Sequence, residues 1–168
     1  MESQPDTAHR VFVSYIDKSR DYYAAQGFER PYRWAHHREA PFTPLPKPLA
    51  ESTVGLVTTS TPWDDFDDPA DARLVGAYAL PVDPPPDRMY TDHRTWDKDA
   101  THTGDVETFL PICRMHEYAE TGRIARLAPR FYGVPTEYSQ RRTREADAPR
   151  ILELMREDGV DAALLVPL

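Results

Sequence analysis

One cysteine and seven glycines are all that 168 residues contain of the two most geometry-determining residue types. With Cys113 alone, no disulfide can form within the chain, and no Cys-x-x-Cys metal or redox pair exists. No stretch reaches the roughly 20 apolar residues that a membrane-spanning helix needs. The start, MESQPDTAHR, lacks the basic-then-apolar pattern of a secretory signal, so the chain reads as cytoplasmic, with no membrane partner. Basic residues are also in the minority, 20 against 28 acidic, for a net charge of -8. Such a surface repels phosphate backbones, which argues against nucleic acid as a partner. Cys113 sits among apolar residues in a helical pattern, so core packing is its expected role.

What the sequence has in plenty is proline, 17 residues. Pro41, Pro44, Pro46 and Pro48 exclude regular helix and central strand, and mark an extended arm. Before it, Phe12, Tyr15, Ile16, Tyr22 and Tyr23 recur at helical spacing, and Gly27 stops the pattern. Residues 1–50 therefore read as an N-terminal helix with a proline-rich arm, and 51–168 as the folded remainder. Val54-Gly55-Leu56-Val57, closed by Thr58-Thr59-Ser60, has the continuous apolarity of a strand buried on both faces. Leu74 to Leu80 is a weaker strand candidate, cut off by Pro84-Pro85-Pro86. A helix is expected over Thr108–Thr121, with Thr108 as cap, Pro111 in the first turn and Gly122 past the end. Another is expected from the cap Asp147 through Ile151, Leu152, Leu154 and Met155 to Gly159. It leads into Ala162-Ala163-Leu164-Leu165-Val166, whose apolarity predicts a strand with neighbours on both sides. The fold class that follows is a layered α/β domain with a mostly parallel sheet.

Candidate chemistry gathers first in Asp92-His93 to Asp105, where two histidines and four aspartates (Asp92, Asp97, Asp99, Asp105) fall close together. A histidine held by a carboxylate suits proton transfer, which nominates His102 with Asp99 as catalytic residues. A metal site using His93 and His102 is the alternative, although a spacing of nine fits no compact zinc pattern. Hydroxyls that follow a buried strand face the crevice of an open α/β sheet, so Thr58, Thr59 and Ser60 are substrate-binding candidates; capping the next turn is their other role. Arg130, which precedes what reads as a turn-rich loop, Phe131-Tyr132-Gly133-Val134-Pro135, joins them as a clamp for a carboxylate, with Tyr132 of that loop as a further substrate-binding candidate. Arg123, Arg126, Arg141, Arg142 and Arg144 read as a solvated face.

Four segments carry a resemblance: Val54 to Ser60, Thr101-His102-Thr103-Gly104-Asp105, Gly122-Arg123-Ile124 with Leu127 to Gly133, and Asp158 to Pro167. In that order they resemble the front half of the glycine/sarcosine/betaine/D-proline reductase selenoprotein B-type family. The resemblance implies a reductase subunit that helps cleave a carbon–nitrogen bond reductively, acting on a small molecule. In that family the last of these strands runs into a reactive cysteine or selenocysteine. Here Val166-Pro167-Leu168 offers no such atom, which leaves three expectations open: a second protein chain carrying the cysteine or selenocysteine half, a selenocysteine codon taken for a stop, or a truncated binding subunit. By the resemblance the chain is inactive by itself and assembles as a hetero-oligomer. A non-catalytic module that binds a small molecule or scaffolds another protein is the competing reading, and no cofactor is assigned. A fully apolar final strand must be covered, so an oligomer is expected.

Overall fold

The computed structural model describes residues 14–28, 30, 35–36, 38–40, 43–62, 76–90, 103–134 and 139–167. It divides into two units, residues 1–36 and 37–168. In the first, α1 (Tyr15–Ala25) starts at Ser14, whose hydroxyl accepts from the Asp17 amide at 3.2 Å. It ends where Gly27 turns to φ +87° and the Phe28 amide reaches back to the Tyr23 carbonyl at 3.1 Å. The positive φ explains why a glycine stands at that stop.

The second unit is α/β. Its sheet is built on β1 (Thr53–Thr58), flanked on one side by β3 (Arg126–Leu127) and β4 (Arg130–Gly133), and on the other by β5 (Ala162–Val166), all parallel to it. β2 (Tyr78–Pro81) closes the far side antiparallel to β4. Thr53 pairs with Arg126 while Val57 pairs with Tyr132, so the second strand is two residues longer over the same span. Ala128 and Pro129 take up that excess as a bulge, splitting β3 from β4, because Pro129 has no amide to give the ladder.

Alternation along β1 sends side chains to two cores. Val54 and Leu56 join Leu127, Phe131, Met89, Phe109 and Leu110 on the face covered by α2 (Ile112–Glu120), which contributes Ile112 and Met115. Val57 lies on the other face with Tyr132, beneath Leu154 and Met155 of α4 (Ala148–Glu157). Gly55 is needed on this second face, since a Cβ there would stand 3.1 Å from the Tyr132 ring and 3.2 Å from Val160. Helices on both faces of a mostly parallel sheet are the arrangement that buried parallel strands require.

Several expectations change. Thr108 does not cap α2: its hydroxyl donates to the Asp105 carbonyl at 2.7 Å within a short 3-10 turn, Val106–Thr108. Glu107 does the capping, its carboxylate accepting from the amides of Cys113 at 2.8 Å and Arg114 at 3.2 Å. Cys113 is exposed rather than packed, because one step from Ile112 turns it some 100° away from the buried Ile112–Met115 stripe. Asp147 is not a helix start either. Helical structure begins at Ser139 with α3 (Gln140–Arg142), passes through a wide π turn (Thr143–Asp147) and continues into α4, leaving Asp147 buried in mid-run. The wide turn stands just ahead of Pro149, whose ring would otherwise clash with the carbonyl four residues back.

The last strand departs most from expectation. Among the described residues β5 pairs with β1 alone, so it is an edge, and Leu164 and Leu165 are 43% and 69% exposed. Apolar composition alone does not distinguish a strand covered within its own unit from one left open at an edge.

Candidate functional site

Because β1, β4 and β5 are parallel, Thr58, Gly133 and Val166 end at one edge of the sheet. The chain leaving β1 there is stapled tightly. Thr58 Oγ1 accepts from the Ser60 amide at 3.1 Å and shares a hydrogen bond with Ser60 Oγ at 2.9 Å. Thr61 exchanges two backbone hydrogen bonds with Tyr90, at 2.8 and 2.7 Å. Tyr78 reaches across Gly133, its strand partner, and donates its hydroxyl to the Ser60 carbonyl. Burial pushes the Tyr78 phenol well above its ordinary pKa, so it remains a donor at any physiological pH.

Thr58, Thr59 and Ser60 thus lie where their strand predicts, at the carboxyl edge. Thr58 and Ser60 are buried and satisfy one another, while Thr59 is half-buried. Their geometry fixes a rigid rim of backbone and hydroxyl groups.

A cleft of about 290 Å³ opens beside the first turn of α2. Pro85, Asp87, Asp105, Glu107 and Cys113 are among its lining residues. The Cys113 thiol is pushed up from its usual range, chiefly by its hydrogen bond to the Glu107 carboxylate. A thiol held protonated is a poor nucleophile. His93, Asp99 and His102 lie outside the described residues; Thr103, next to His102, is the point at which the described chain resumes. Among the described residues no three His, Cys, Asp or Glu side chains gather as metal ligands do.

Arg130 and Tyr132 go elsewhere. Both belong to β4, not to a loop, and Arg130 is its first residue, at the strand end opposite Ser60. Gly133 and Pro135 misled the reading, since glycine inside a strand here marks the close crossing of Tyr78 rather than a turn. Two residues apart, Arg130 and Tyr132 share a face and a partner. Arg130 grips Asp158 with Nε at 2.8 Å and Nη2 at 3.0 Å, and Nη2 also reaches Glu157 at 3.0 Å. The Tyr132 hydroxyl donates to Asp158 at 2.6 Å. Burial raises the Asp158 carboxyl, yet the hydrogen bonds from Arg130 and Tyr132 outweigh it and hold the group below the usual carboxylate range. Burial first, and the carboxylate second, lift the Tyr132 phenol. The arrangement fastens the end of α4 to β4, and it engages Arg130 through Nε and Nη2, the edge that a bidentate carboxylate pair uses.

A second tie lies at the amino ends of β1 and β5. Asp161 accepts from the Thr53 amide at 2.8 Å and pairs with Lys47 at 2.7 Å, which holds its carboxyl below the ordinary range and fixes the proline-rich segment to the sheet. Sequence reasoning missed Tyr78, Glu107, Asp158 and Asp161. The same-face spacing of Arg130 and Tyr132 was the signal that pointed to a shared acid.

The chain is 32% identical over 130 residues to the D-proline reductase subunit gamma of Acetoanaerobium sticklandii, a match covering 74% of this chain and 52% of that protein. It therefore spans about half the length of the curated relative it matches. No family model matches the sequence. No solved structure matches it.

Proposed function

We propose that this chain is a subunit of a reductase complex related to D-proline reductase, forming one wall of a site that cleaves a carbon–nitrogen bond reductively. The carrying observation is the extended similarity to the gamma subunit. In this reading the rim from Thr58 to Thr61 supports the substrate, and His102, oriented by Asp99, delivers a proton to the departing nitrogen. The attacking thiolate or selenolate is supplied by a second polypeptide. Cys113 does not fill that role: the chemistry needs an anion at low cost, and the Glu107 contact raises this thiol.

Two findings support the placement. The rim lies at the carboxyl ends of parallel strands, where open α/β sheets hold their ligands. It is also rigid, so that bound atoms can be positioned without a reorganisation cost. Arg130 has no part in the site on this reading, since it stands at the opposite end of β4 with Nε and Nη2 bound to Asp158 and Glu157. Thr58 and Ser60 act by fixing the backbone around Thr59.

The test is turnover by the assembly purified from its native host, with dithiothreitol as reductant and D-proline, glycine, sarcosine and betaine as trial substrates. Loss of reductive cleavage by at least tenfold in His102→Ala, with the assembly intact, is the expected result. An assembly that cleaves none of these compounds would remove the enzymatic reading and leave the scaffolding module as its replacement.

A further inference from the structure

We infer that Tyr78 is a positioning residue for the carboxyl-edge site: its hydroxyl, carried across Gly133, fixes the Ser60 carbonyl and so sets Thr59 and Thr61 where the substrate is held. The inference deepens the reductase reading and rests on it for the reaction; the tie itself stands on geometry.

The turn that leaves β1 is held at both ends. At one, the Thr58 carbonyl accepts from the Val134 amide at 3.2 Å; at the other, Thr61 and Tyr90 exchange their two backbone hydrogen bonds. Between them, the Ser60 amide and hydroxyl both bind Thr58 Oγ1, inside the same turn. Bonds within a turn shape it without locating it against the sheet. The Ser60 carbonyl makes the tie that leaves the turn, accepting from Tyr78 of β2. Ser60 is wholly buried, so loss of that donor strands a carbonyl out of reach of water, and the turn must shift to satisfy it.

Three features set this contact apart from a core tyrosine whose hydroxyl merely finds a partner. The first is reach: β4 lies between β2 and β1, so the ring spans a whole strand to meet the segment that follows β1. The second is the room made for it. Gly133 is the register partner of Tyr78, and its φ lies outside the left-handed region, so no turn asks for glycine there. The missing Cβ is the passage for the ring, in a strand that glycine otherwise weakens. The third is fixity, since the ring is buried and packs edge-to-face on Phe131. A hydroxyl on a locked aromatic body defines a point in space closely, which is what reacting groups need from their supports.

The experiment places Tyr78→Phe in the assembly purified from its native host, which removes the hydroxyl and keeps the ring. Met155→Leu, a volume-conserving change in the core on the other face of the sheet, is the control for a small loss of Tm. On whichever trial substrate the wild type turns over, Tyr78→Phe should lower kcat by at least about tenfold with KM within about threefold, while Met155→Leu keeps both. Amide exchange read by mass spectrometry on the same assemblies should quicken over residues 58–62 in Tyr78→Phe and stay unchanged over 53–57; equal quickening over both stretches marks general loosening and overturns the inference. A kcat for Tyr78→Phe equal to that of Met155→Leu also overturns it and leaves the reductase reading standing. So does a rise in KM at unchanged kcat, which places the hydroxyl in binding alone. A wild-type assembly that cleaves no trial substrate sinks the reductase reading and this inference with it, a failure told apart from the others by the wild-type rate.

Discussion

Gly133→Ala tests how closely β2, β4 and the carboxyl-edge rim depend on one another. A Cβ at position 133 would stand 2.7 Å from Tyr78 Cε1 and closer still to Cζ and the hydroxyl. No heavy-atom contact survives at that range, and the obstacle is the body of a ring. Tyr78 is only 8% exposed, and packs edge-to-face on Phe131 with centroids 6.3 Å apart, so it has little room to retreat. Moving the ring forfeits its hydrogen bond to Ser60, about 1 kcal/mol, and part of the aromatic pair, about 1 kcal/mol. Overpacking strain adds about 1–2 kcal/mol, for a total of about 3–4 kcal/mol. For a chain of this size that corresponds to a fall in Tm of roughly 8–14 °C, read by circular dichroism or by urea titration. The Tyr78→Ala background separates the cause. There Gly133→Ala should cost less than about 1 kcal/mol, so the cycle yields a coupling of at least about 2 kcal/mol. A wild-type-like Tm for Gly133→Ala, or equal cost in both backgrounds, would refute the reasoning.

Other outcomes follow from the remaining ties. Asp158→Ala should destabilise by about 2–3 kcal/mol, because it strips Arg130 and Tyr132 of a largely buried partner; Tyr132→Phe should cost about 1–2 kcal/mol, both by urea titration. Since the folded-state pKa of Asp158 is depressed, its contribution is complete above the ordinary carboxyl value of about 3.9 and fades as pH falls through the folded value; Asp158→Asn should flatten the acid limb of a stability–pH curve, and an unchanged limb counts against the tie. Alkaline titration followed at 295 nm should leave Tyr78 and Tyr132 silent at pH 10, their phenols appearing only on unfolding. Iodoacetamide should modify Cys113 with a midpoint above the free-thiol value of about 8.5, and Glu107→Gln should bring that midpoint down; a midpoint already below 8 would contradict the Glu107 contact.

The layered α/β class was legible because its signals are local. Val54–Val57 and Ala162–Val166 are apolar enough to read as parallel strands, and Gly27, Gly122 and Gly159 mark helix ends by their positive φ. What escaped depends on contacts distant in the chain. Gly133 reads as a turn until Tyr78 is seen to cross it, and Asp147 reads as a cap until the π turn ahead of Pro149 places it inside a continuous helical run. Cys113 passed for a core residue because neighbouring apolar residues blur a helical stripe by one position. Position along a parallel strand placed Thr58 to Ser60 at the carboxyl edge of the sheet, whereas Arg130 stands at the opposite end because Arg130–Gly133 is a strand rather than part of a loop. Asp158 and Asp161 were invisible for a different reason. Each takes its meaning from a partner, Arg130 for one and Lys47 with Thr53 for the other, that folding alone brings near.

The account turns on a site completed by another polypeptide. Native mass spectrometry of the gently purified assembly from the host of origin reads this directly: the polypeptide that contains these residues is predicted to travel with a second chain bearing a reactive cysteine or selenocysteine, released on activation. A single polypeptide species that contains these residues and carries out the reduction with no second chain bound would contradict it.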